Sequence, residues 1–352
     1  MRCSKVICHL LALCCAVWSL ASCSEWDTDT LGQSFVPANS QVRTFTHLVY
    51  VEYSLDGVRV WGPAASEVTA TFDGHHAHIV NTSDSLALFA YGYPDAKGKD
   101  EAKDSNAIPI DASLTIDSPV PYALYLGGLS LHSQSRPVIH SVGQQPCYMV
   151  LPNGSNNQFK GQILVDGPLH LTGRGKLSID SRGTCLQAQS LQCQYNVSVS
   201  LQSTEGDGIE LTGGPMRSTL GTWTIHAAHH GVTSPDSIVL IAGTYQGSAA
   251  TGAFFDARRG TLSRRPTLLA AAMLQSQLHD TAYVAQRFDS VQPFWQQQVD
   301  TLQLQAATAY KVFRNSEKRE FTSFTAHSSL SRPWMLISNA TLLPSDTVYF
   351  RH

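Results

Sequence analysis

Short apolar peaks recur along the middle of the chain at a nearly constant spacing. Each peak lies close to a glycine or another turn residue, and the peaks centre on Ile139, Leu164, Leu186, Ile209, Val232 and Phe254. The steps between them are 25, 22, 23, 23 and 22 residues, with a mean of 23. Self-similarity at a period of roughly 20–50 residues is typical of repeat architectures. The pattern therefore predicts a stack of similar structural units.

Apolar and polar residues alternate within each unit, which is the period of a half-buried β-strand. Two successive units place apolar residues at the same offsets: Leu169, Leu171, Leu177 and Ile179, then Leu191, Cys193, Val199 and Leu201. Leucine-rich repeats would need a Leu-Asn signature that is absent, and propeller blades would need nearly twice the period. We expect an all-β chain that forms a right-handed, single-stranded parallel β-helix with about 22–25 residues per coil.

The flanking segments also have β character. Alternating runs at residues 48–51, 68–72 and 86–89 predict strands, and residues 94–106 predict a charged, solvated loop. Residues 268–278 are compatible with a helix, but we favour a strand that leads out of the coils. Because residues 299–350 read as hairpins, we expect a β-helix domain over 46–265 and a small C-terminal coil and β-module over 266–352.

The first residues have the pattern of a secretion signal. A basic start and an apolar stretch precede Leu20-Ala21-Ser22-Cys23, which matches the bacterial lipobox. We expect residues 1–22 to be a lipoprotein signal peptide, Cys23 to be acylated with palmitate-type chains, and 23–45 to be a tether. Ser24 resembles the residue after the acylated Cys in outer-membrane lipoproteins, and the acidic cluster that follows resembles a surface-export tether. We therefore expect lipid anchoring at the outer membrane with surface exposure, and a solvated acidic linker is the alternative for the cluster. An ordinary secretory signal and a short membrane anchor are the alternatives.

Charge and cysteine content narrow the class further. Charged residues make up 14% of the chain, against roughly 25% in ordinary soluble proteins. With 24 Lys and Arg against 27 Asp and Glu, the net charge is −3, so we expect no nucleic-acid partner. Outside residues 1–23 the cysteines are Cys147, Cys185 and Cys193, which are too few for a disulfide framework and are predicted to be buried.

Several segments together resemble one family. They are residues 122–131 (Tyr-Ala-Leu-Tyr-Leu-Gly-Gly-Leu-Ser-Leu), 150–156 (Val-Leu-Pro-Asn-Gly-Ser-Asn), 169–177 (Leu-His-Leu-Thr-Gly-Arg-Gly-Lys-Leu), 206–209 (Gly-Asp-Gly-Ile) and, near the end, 321–326 and 337–349. In order and spacing they resemble the bacterial carbohydrate-binding domain with a pectate-lyase-like right-handed β-helix, found in clostridial surface proteins and Bacteroidetes lipoproteins. The chain departs from that family where His230-Gly-Val and Gly252-Ala-Phe replace Asp-Gly-Ile.

The resemblance implies non-catalytic binding of a polysaccharide, and we expect the protein to be a monomer. Acidic chains such as polygalacturonate, or cellulose, are the implied ligands, with Ca²⁺ as the implied cofactor. Calcium takes about 6–8 oxygen ligands, and Glu205 and Asp207, which flank a glycine-rich turn, are the best candidates among the turn acids. Exposed turn residues with no metal are the alternative for this pair.

The expected sugar contacts are Trp223, Arg182 and His229. Sugar sites usually combine polar groups with an aromatic ring that stacks on the apolar face of the sugar. The residues that could supply this ring are Trp61, Tyr91, Tyr93, Trp223 and Trp295, and a place in the core is the alternative for each of them. His75, His76 and His78 have a spacing that suits zinc, but a solvated strand face is favoured for them.

Two other functions stay open at this point. A polysaccharide lyase or hydrolase is the first, although the polygalacturonase motifs are incomplete: residues 81–84 read Asn-Thr-Ser-Asp, no Asp-Asp pair occurs, and 229–231 read His-His-Gly. A hydrolase needs a pair of carboxylates at a set separation. The second alternative is a surface adhesin or scaffold that binds protein.

Overall fold

The computed structural model describes residues 44–93, 110–279, 292, 294–315, 320–339, 341–342 and 345–352. It is 61% strand and 1% helix and forms a β-solenoid of about 7 turns, which confirms the predicted all-β parallel β-helix. In the described part of the chain the helical element is one 3₁₀ turn, Ala65–Glu67. The predicted signal peptide, the lipidation site Cys23, nearly all of the tether and the charged loop 94–106 lie outside the described residues, and they stay predictions of the sequence.

Thirty strands are described. The first fifteen are β1 (His47–Ser54), β2 (Gly57–Trp61), β3 (Val68–Asp73), β4 (His75–Asn81), β5 (Leu86–Gly92), β6 (Ala112–Asp117), β7 (Tyr122–His132), β8 (Ile139–Val142), β9 (Cys147–Leu151), β10 (Asn156–Lys160), β11 (Ile163–Gly173), β12 (Lys176–Ser181), β13 (Leu186–Cys193), β14 (Ser198–Ser203) and β15 (Ile209–Leu211). The others are β16 (Met216–Ser218), β17 (Thr222–Ala227), β18 (Val232–Ser234), β19 (Ile238–Leu240), β20 (Thr244–Ala253), β21 (Phe255–Ala257), β22 (Thr261–Ser263), β23 (Thr267–Leu274), β24 (Trp295–Gln298), β25 (Gln303–Leu304), β26 (Ala309–Arg314), β27 (Thr322–Thr325), β28 (Leu330–Ser331), β29 (Trp334–Ser338) and β30 (Val348–Arg351).

Each coil contributes strands to three parallel ladders, which we call the first, second and third faces. The first face contains β4, β6, β8, the starts of β11 and β13, β15, β18 and β21. The second contains β1, β5, the start of β7, β9, the ends of β11 and β13, β16, β19 and β22. The third contains the end of β7, then β10, β12, β14, β17, β20 and β23. Two hairpins, β1–β2 and β3–β4, widen the N-terminal end.

The inward rows are in register and form one continuous core. On the first face the row is Ile139, Ile163, Leu186, Ile209, Val232 and Phe255, all fully buried. The predicted ladder positions Leu164 and Phe254 are therefore wrong by one residue. A β-bulge between Val165 and Pro168 adds one residue to β11, so spacing counted from Leu164 fits the positions beyond the bulge.

Beyond the bulge the predicted offsets are confirmed. Leu169 pairs with Leu191, Leu171 with Cys193, Leu177 with Val199 and Ile179 with Leu201. The cysteines Cys147, Cys185 and Cys193 are free and buried, as predicted. Burial raises the pKa of each thiol to about 12, which keeps the thiols protonated and unreactive.

The C-terminal module packs on the last coil. β23 confirms the predicted strand and pairs in parallel with β20, so the ladder continues past the predicted boundary at residue 265. β29 then pairs with β23 in the antiparallel sense, and β24 pairs with β29. The module has its own apolar core, which includes Trp295, Tyr310 and Met335, and two small antiparallel sheets.

A pair of imidazoles joins the module to the third face. The rings of His226, on β17, and His327, in the loop between β27 and β28, stack with centroids 4.1 Å apart. His226 Nδ1 also lies 3.0 Å from Ser248 Oγ on β20. Burial, with a smaller contribution from the His327 charge, lowers the pKa of His226 from 6.5 to about 4.

This pKa shift gives the protein an acid-sensitive contact. Between its ordinary pKa and about 4 the unfolded chain takes up a proton that the folded chain does not, so stability falls as the pH falls through this window. We expect His226→Gln to lose less stability than wild type between about pH 7.5 and about pH 4.5, measured by urea denaturation. His229→Gln, at an exposed site on the next turn, is the control. Equal losses in wild type and His226→Gln would contradict this assignment.

Candidate functional site

Trp223 does not form a surface platform. Its side chain is 0% exposed, faces the core from β17 and stacks on Tyr245, with ring centroids 6.5 Å apart and planes 9° apart. The predicted sugar contact at Trp223 is therefore wrong. The reason is alternation: Thr222 and Thr224 take the outward positions of β17, which leaves Trp223 inside.

Arg182, Glu205 and His229 lie on one corner of the solenoid, where the chain turns from the third face to the first. Arg182 Nε lies 2.9 Å from Glu205 Oε1, and both side chains are exposed. The Glu205 backbone N–H donates to Arg182 O, and the N–H of His229 donates to Gly206 O on the coil before it. The structure thus brings a predicted sugar contact against a predicted calcium ligand, in an ion pair.

Asp207 is tied to the next coil. Its carboxylate accepts hydrogen bonds from the His230 backbone N–H at 2.9 Å and from the Thr233 hydroxyl at 3.2 Å. Within the described ranges, no three His, Cys, Asp or Glu side chains form a group that could hold a metal ion. Calcium binding at Glu205 and Asp207 stays a prediction, and a bound ion would compete with the contacts of both carboxylates.

The histidines of β4 have local partners. His76 Nδ1 lies 2.9 Å from Ser113 Oγ, and His75 Nε2 lies 3.0 Å from Ser54 O. Burial is the largest cause of the lowered pKa of His76. These contacts agree with the favoured interpretation of this segment as a polar strand face.

A row of aromatic side chains covers the outer side of the second face at its N-terminal end. Trp61, Tyr50, Phe89 and Tyr125 lie directly opposite one another on β2, β1, β5 and β7. Their ring centroids are 4.4, 5.9 and 6.1 Å apart in that order. We call these four residues the aromatic face. The row runs across the strands, and therefore along the axis of the solenoid.

The strand pattern explains why these rings point outward. On β1 the residues Val49, Val51 and Tyr53 are buried in the core, so Tyr50 lies on the opposite side of the strand. A glycine completes the surface: a Cβ atom on Gly127 would lie 2.4 Å from Phe89 Cε1. The missing side chain lets the Phe89 ring lie against the backbone of β7.

Polar groups line one side of the aromatic face. Arg59, Glu52 and Tyr91 lie opposite one another on β2, β1 and β5. The Arg59 guanidinium lies 5.6 Å from the centroid of the Trp61 ring. Partial burial, and then the nearby Glu52 carboxylate, raise the pKa of Tyr91, so its hydroxyl stays a hydrogen-bond donor. One cation and one anion flank the rings, so this edge carries little net charge.

More rings continue along the same face. Tyr148 on β9 stacks on His170 of β11 with centroids 4.6 Å apart, and Phe45 lies 5.3 Å from Tyr148. Burial lowers the pKa of His170, which favours a neutral imidazole beside the tyrosine. The aromatic surface thus extends beyond the four opposed rings.

Sequence reasoning included Trp61 and Tyr91 among its aromatic candidates but missed the row. Tyr50, Phe89 and Tyr125 are separated by 39 and 36 residues, which does not match the period of 23. The difference arises because two hairpins and the segment around the charged loop lie between the N-terminal strands. The sequence signal that could have indicated the row is one aromatic residue at an outward position in each of three separate strands.

The fold and this surface define the class: a parallel β-helix with a partly exposed row of aromatic side chains along its axis. Comparisons with protein families, with curated proteins and with solved structures give no match to the chain. Among the described residues no helix has the length and apolarity to cross a bilayer.

Proposed function

We propose that the protein binds a polysaccharide through the aromatic face and does not cleave it. The observation that carries the proposal is the row of four opposed rings on the solvent side of the second face. Trp61, at the end of the row, is 38% exposed. Aromatic rings present an apolar surface that suits the C–H face of a sugar, while hydroxyl groups at the rim find polar partners.

The direction of the row favours a chain ligand. Neighbouring strands are about 4.8 Å apart, which is close to the length of one pyranose unit. A linear polysaccharide lying along the solenoid axis would therefore meet successive rings with successive sugars. Arg59, Glu52 and Tyr91, beside the rings, supply donors and acceptors for sugar hydroxyls.

Trp61→Ala is expected to weaken polysaccharide binding about tenfold, because it removes the ring with the most exposed stacking surface. The measurement is affinity electrophoresis and calorimetry with polygalacturonate and with a soluble β-glucan. Trp61→Tyr should retain most of the affinity, since a ring remains. Phe72→Ala is the matched control, because Phe72 is an exposed aromatic residue on β3 outside the aromatic face.

The same samples test the alternatives. Unchanged affinity of Trp61→Ala would contradict the role of the aromatic face. New unsaturated ends that absorb in the ultraviolet, or new reducing ends, would show an enzyme instead of a binding protein. Calcium assistance would be supported if EDTA abolishes binding, if Ca²⁺ restores binding to the wild type, and if Ca²⁺ does not restore binding to Asp207→Asn. Binding to a protein ligand with no response to either sugar would favour an adhesin.

A further inference from the structure

A polar groove lies on the outer side of the third face, away from the aromatic face. It crosses the end of β7 and the strands β10, β12 and β14 and has a volume of about 250 Å³. Its main side chains are those of His132, Gln158, Lys160, Ser178, Asp180 and Gln202. We call this surface the polar groove.

The outward side chains of the lining are polar, and they lie in register on neighbouring strands. Gln158 lies opposite Ser178, and Lys160 lies opposite Asp180, on adjacent strands. Asp180 lies opposite Gln202 on the next strand. The alternating residues of these strands point into the core, so amide, hydroxyl, ammonium and carboxylate groups form the outer surface. The groove also borders Leu131, Phe159 and Ile179. The outward polar groups suit a ligand with many hydrogen-bonding groups.

One residue that lines the groove has a polar atom without a hydrogen-bond partner. Nδ1 of His132 is buried and has no hydrogen-bond partner among the described residues. A buried polar atom without a partner costs about 1–3 kcal/mol, and such atoms often mark a place that a water or a ligand occupies.

We infer that the polar groove is a second polysaccharide-binding site, which recognises sugar hydroxyls by hydrogen bonds instead of by stacking. Four strands span roughly 14 Å at the usual strand spacing, which accommodates a short run of sugars along the axis. Lys160 and Asp180 are both exposed on the two middle strands of the groove and add a charge-assisted contact of each sign. The inference extends the proposed polysaccharide binding to a second surface, which can fail or hold separately from the aromatic face.

The two surfaces are joined by one strand. Tyr125 of the aromatic face and Ser130 beside the groove both lie on β7, which turns the corner between them. Gly128 turns with φ +87, and the Asn157 side chain accepts hydrogen bonds from the N–H groups of Gly128 and Leu129. A single molecule would therefore hold two polysaccharide segments on adjacent sides of a fixed corner and cross-link them.

The test is the number of binding events per full-length chain, measured by titration calorimetry with cellohexaose and with hexagalacturonic acid. Ser178→Trp fills the groove and should remove one of two events, while Trp61→Ala should weaken the other. Lys160→Ala should weaken the groove event for hexagalacturonic acid about tenfold. Ser198→Trp is the matched control, because Ser198 lies half-buried on β14 of the same face and outside the groove.

The outcomes separate the two proposals. A titration of Ser178→Trp identical to that of wild type would overturn the groove inference, even if Trp61→Ala still loses affinity. The reverse pattern, with binding lost only in Ser178→Trp, would overturn the aromatic-face proposal and leave the groove as the site. If neither hexasaccharide binds the wild type, both proposals fail.

Discussion

Replacing Trp223 by alanine is expected to lower the free energy of unfolding by about 3–5 kcal/mol. Trp223 is fully buried and is among the largest such side chains of the core. Its strand, β17, lies between β14 and β20, so the cavity would loosen the contact between three successive coils. In a stack of repeats each coil is stabilised by its neighbours, which leaves little scope for relaxation around the cavity. Urea denaturation followed by circular dichroism measures the loss.

Two variants make the Trp223 experiment specific. Trp223→Phe keeps a ring and removes the indole N–H, which is buried without a partner among the described residues, so its loss of stability should be smaller. Trp61→Ala removes the same side chain from the surface, where it stacks on Tyr50, and should lower stability by only about 0.5–1.5 kcal/mol. Similar losses for Trp223→Ala and Trp61→Ala would show that Trp223 does not lie in the core.

A strained backbone conformation typically costs about 1–3 kcal/mol. Gly247→Ala is expected to destabilise the protein by more than this amount. Gly247, on β20, has a φ of +153, a conformation that L side chains rarely adopt. A Cβ atom there would lie 1.7 Å from the carbonyl oxygen of Ile225 on the preceding coil. The strand would have to move away from β17, which breaks parallel hydrogen bonds. The loss is measured by urea denaturation.

Gly57 separates the two causes. It has a φ of +136, but a Cβ atom there would meet nothing within 4 Å. Gly57→Ala should therefore show the backbone strain alone, and the difference between the two variants reports the clash between coils. If the two alanine variants are equally stable, the close approach of β20 to β17 at Gly247 is wrong.

The sequence predicted the repeat well because burial repeats with it. The pairs Leu177–Val199 and Ile179–Leu201 lie in the structure where equal spacing placed them. The prediction at Leu164 was wrong by one residue because of the bulge in β11. An extra residue in one coil does not change the average period, so the spacing of the repeats does not reveal the bulge. The N-terminal hairpins were equally hard to foresee, because antiparallel strands such as β2 show the same alternation as parallel ones.

The binding surface could be predicted only in part. Successive residues of a strand point alternately into the core and into solvent. A shift of one residue therefore moves an aromatic side chain from one side to the other. Trp223 occupies a position that faces the core, whereas Trp61 lies on the outer side. The choice between them required the strand register. The aromatic face and the polar groove also depend on contacts between different coils, which no local pattern contains.

The end of the solenoid bears on self-association. β29 covers the free edge of β23, and it runs in the antiparallel sense. The hydroxyl of Ser276 accepts a hydrogen bond from the backbone N–H of Phe255, and Gln277 exchanges backbone hydrogen bonds with the edges of β21 and β22. In the described residues, β21, β22 and β23 therefore each have a partner within the chain on this side, and unpaired edges are what allow sheets to polymerise. We therefore expect these contacts to disfavour end-to-end stacking of a second copy on this end of the solenoid.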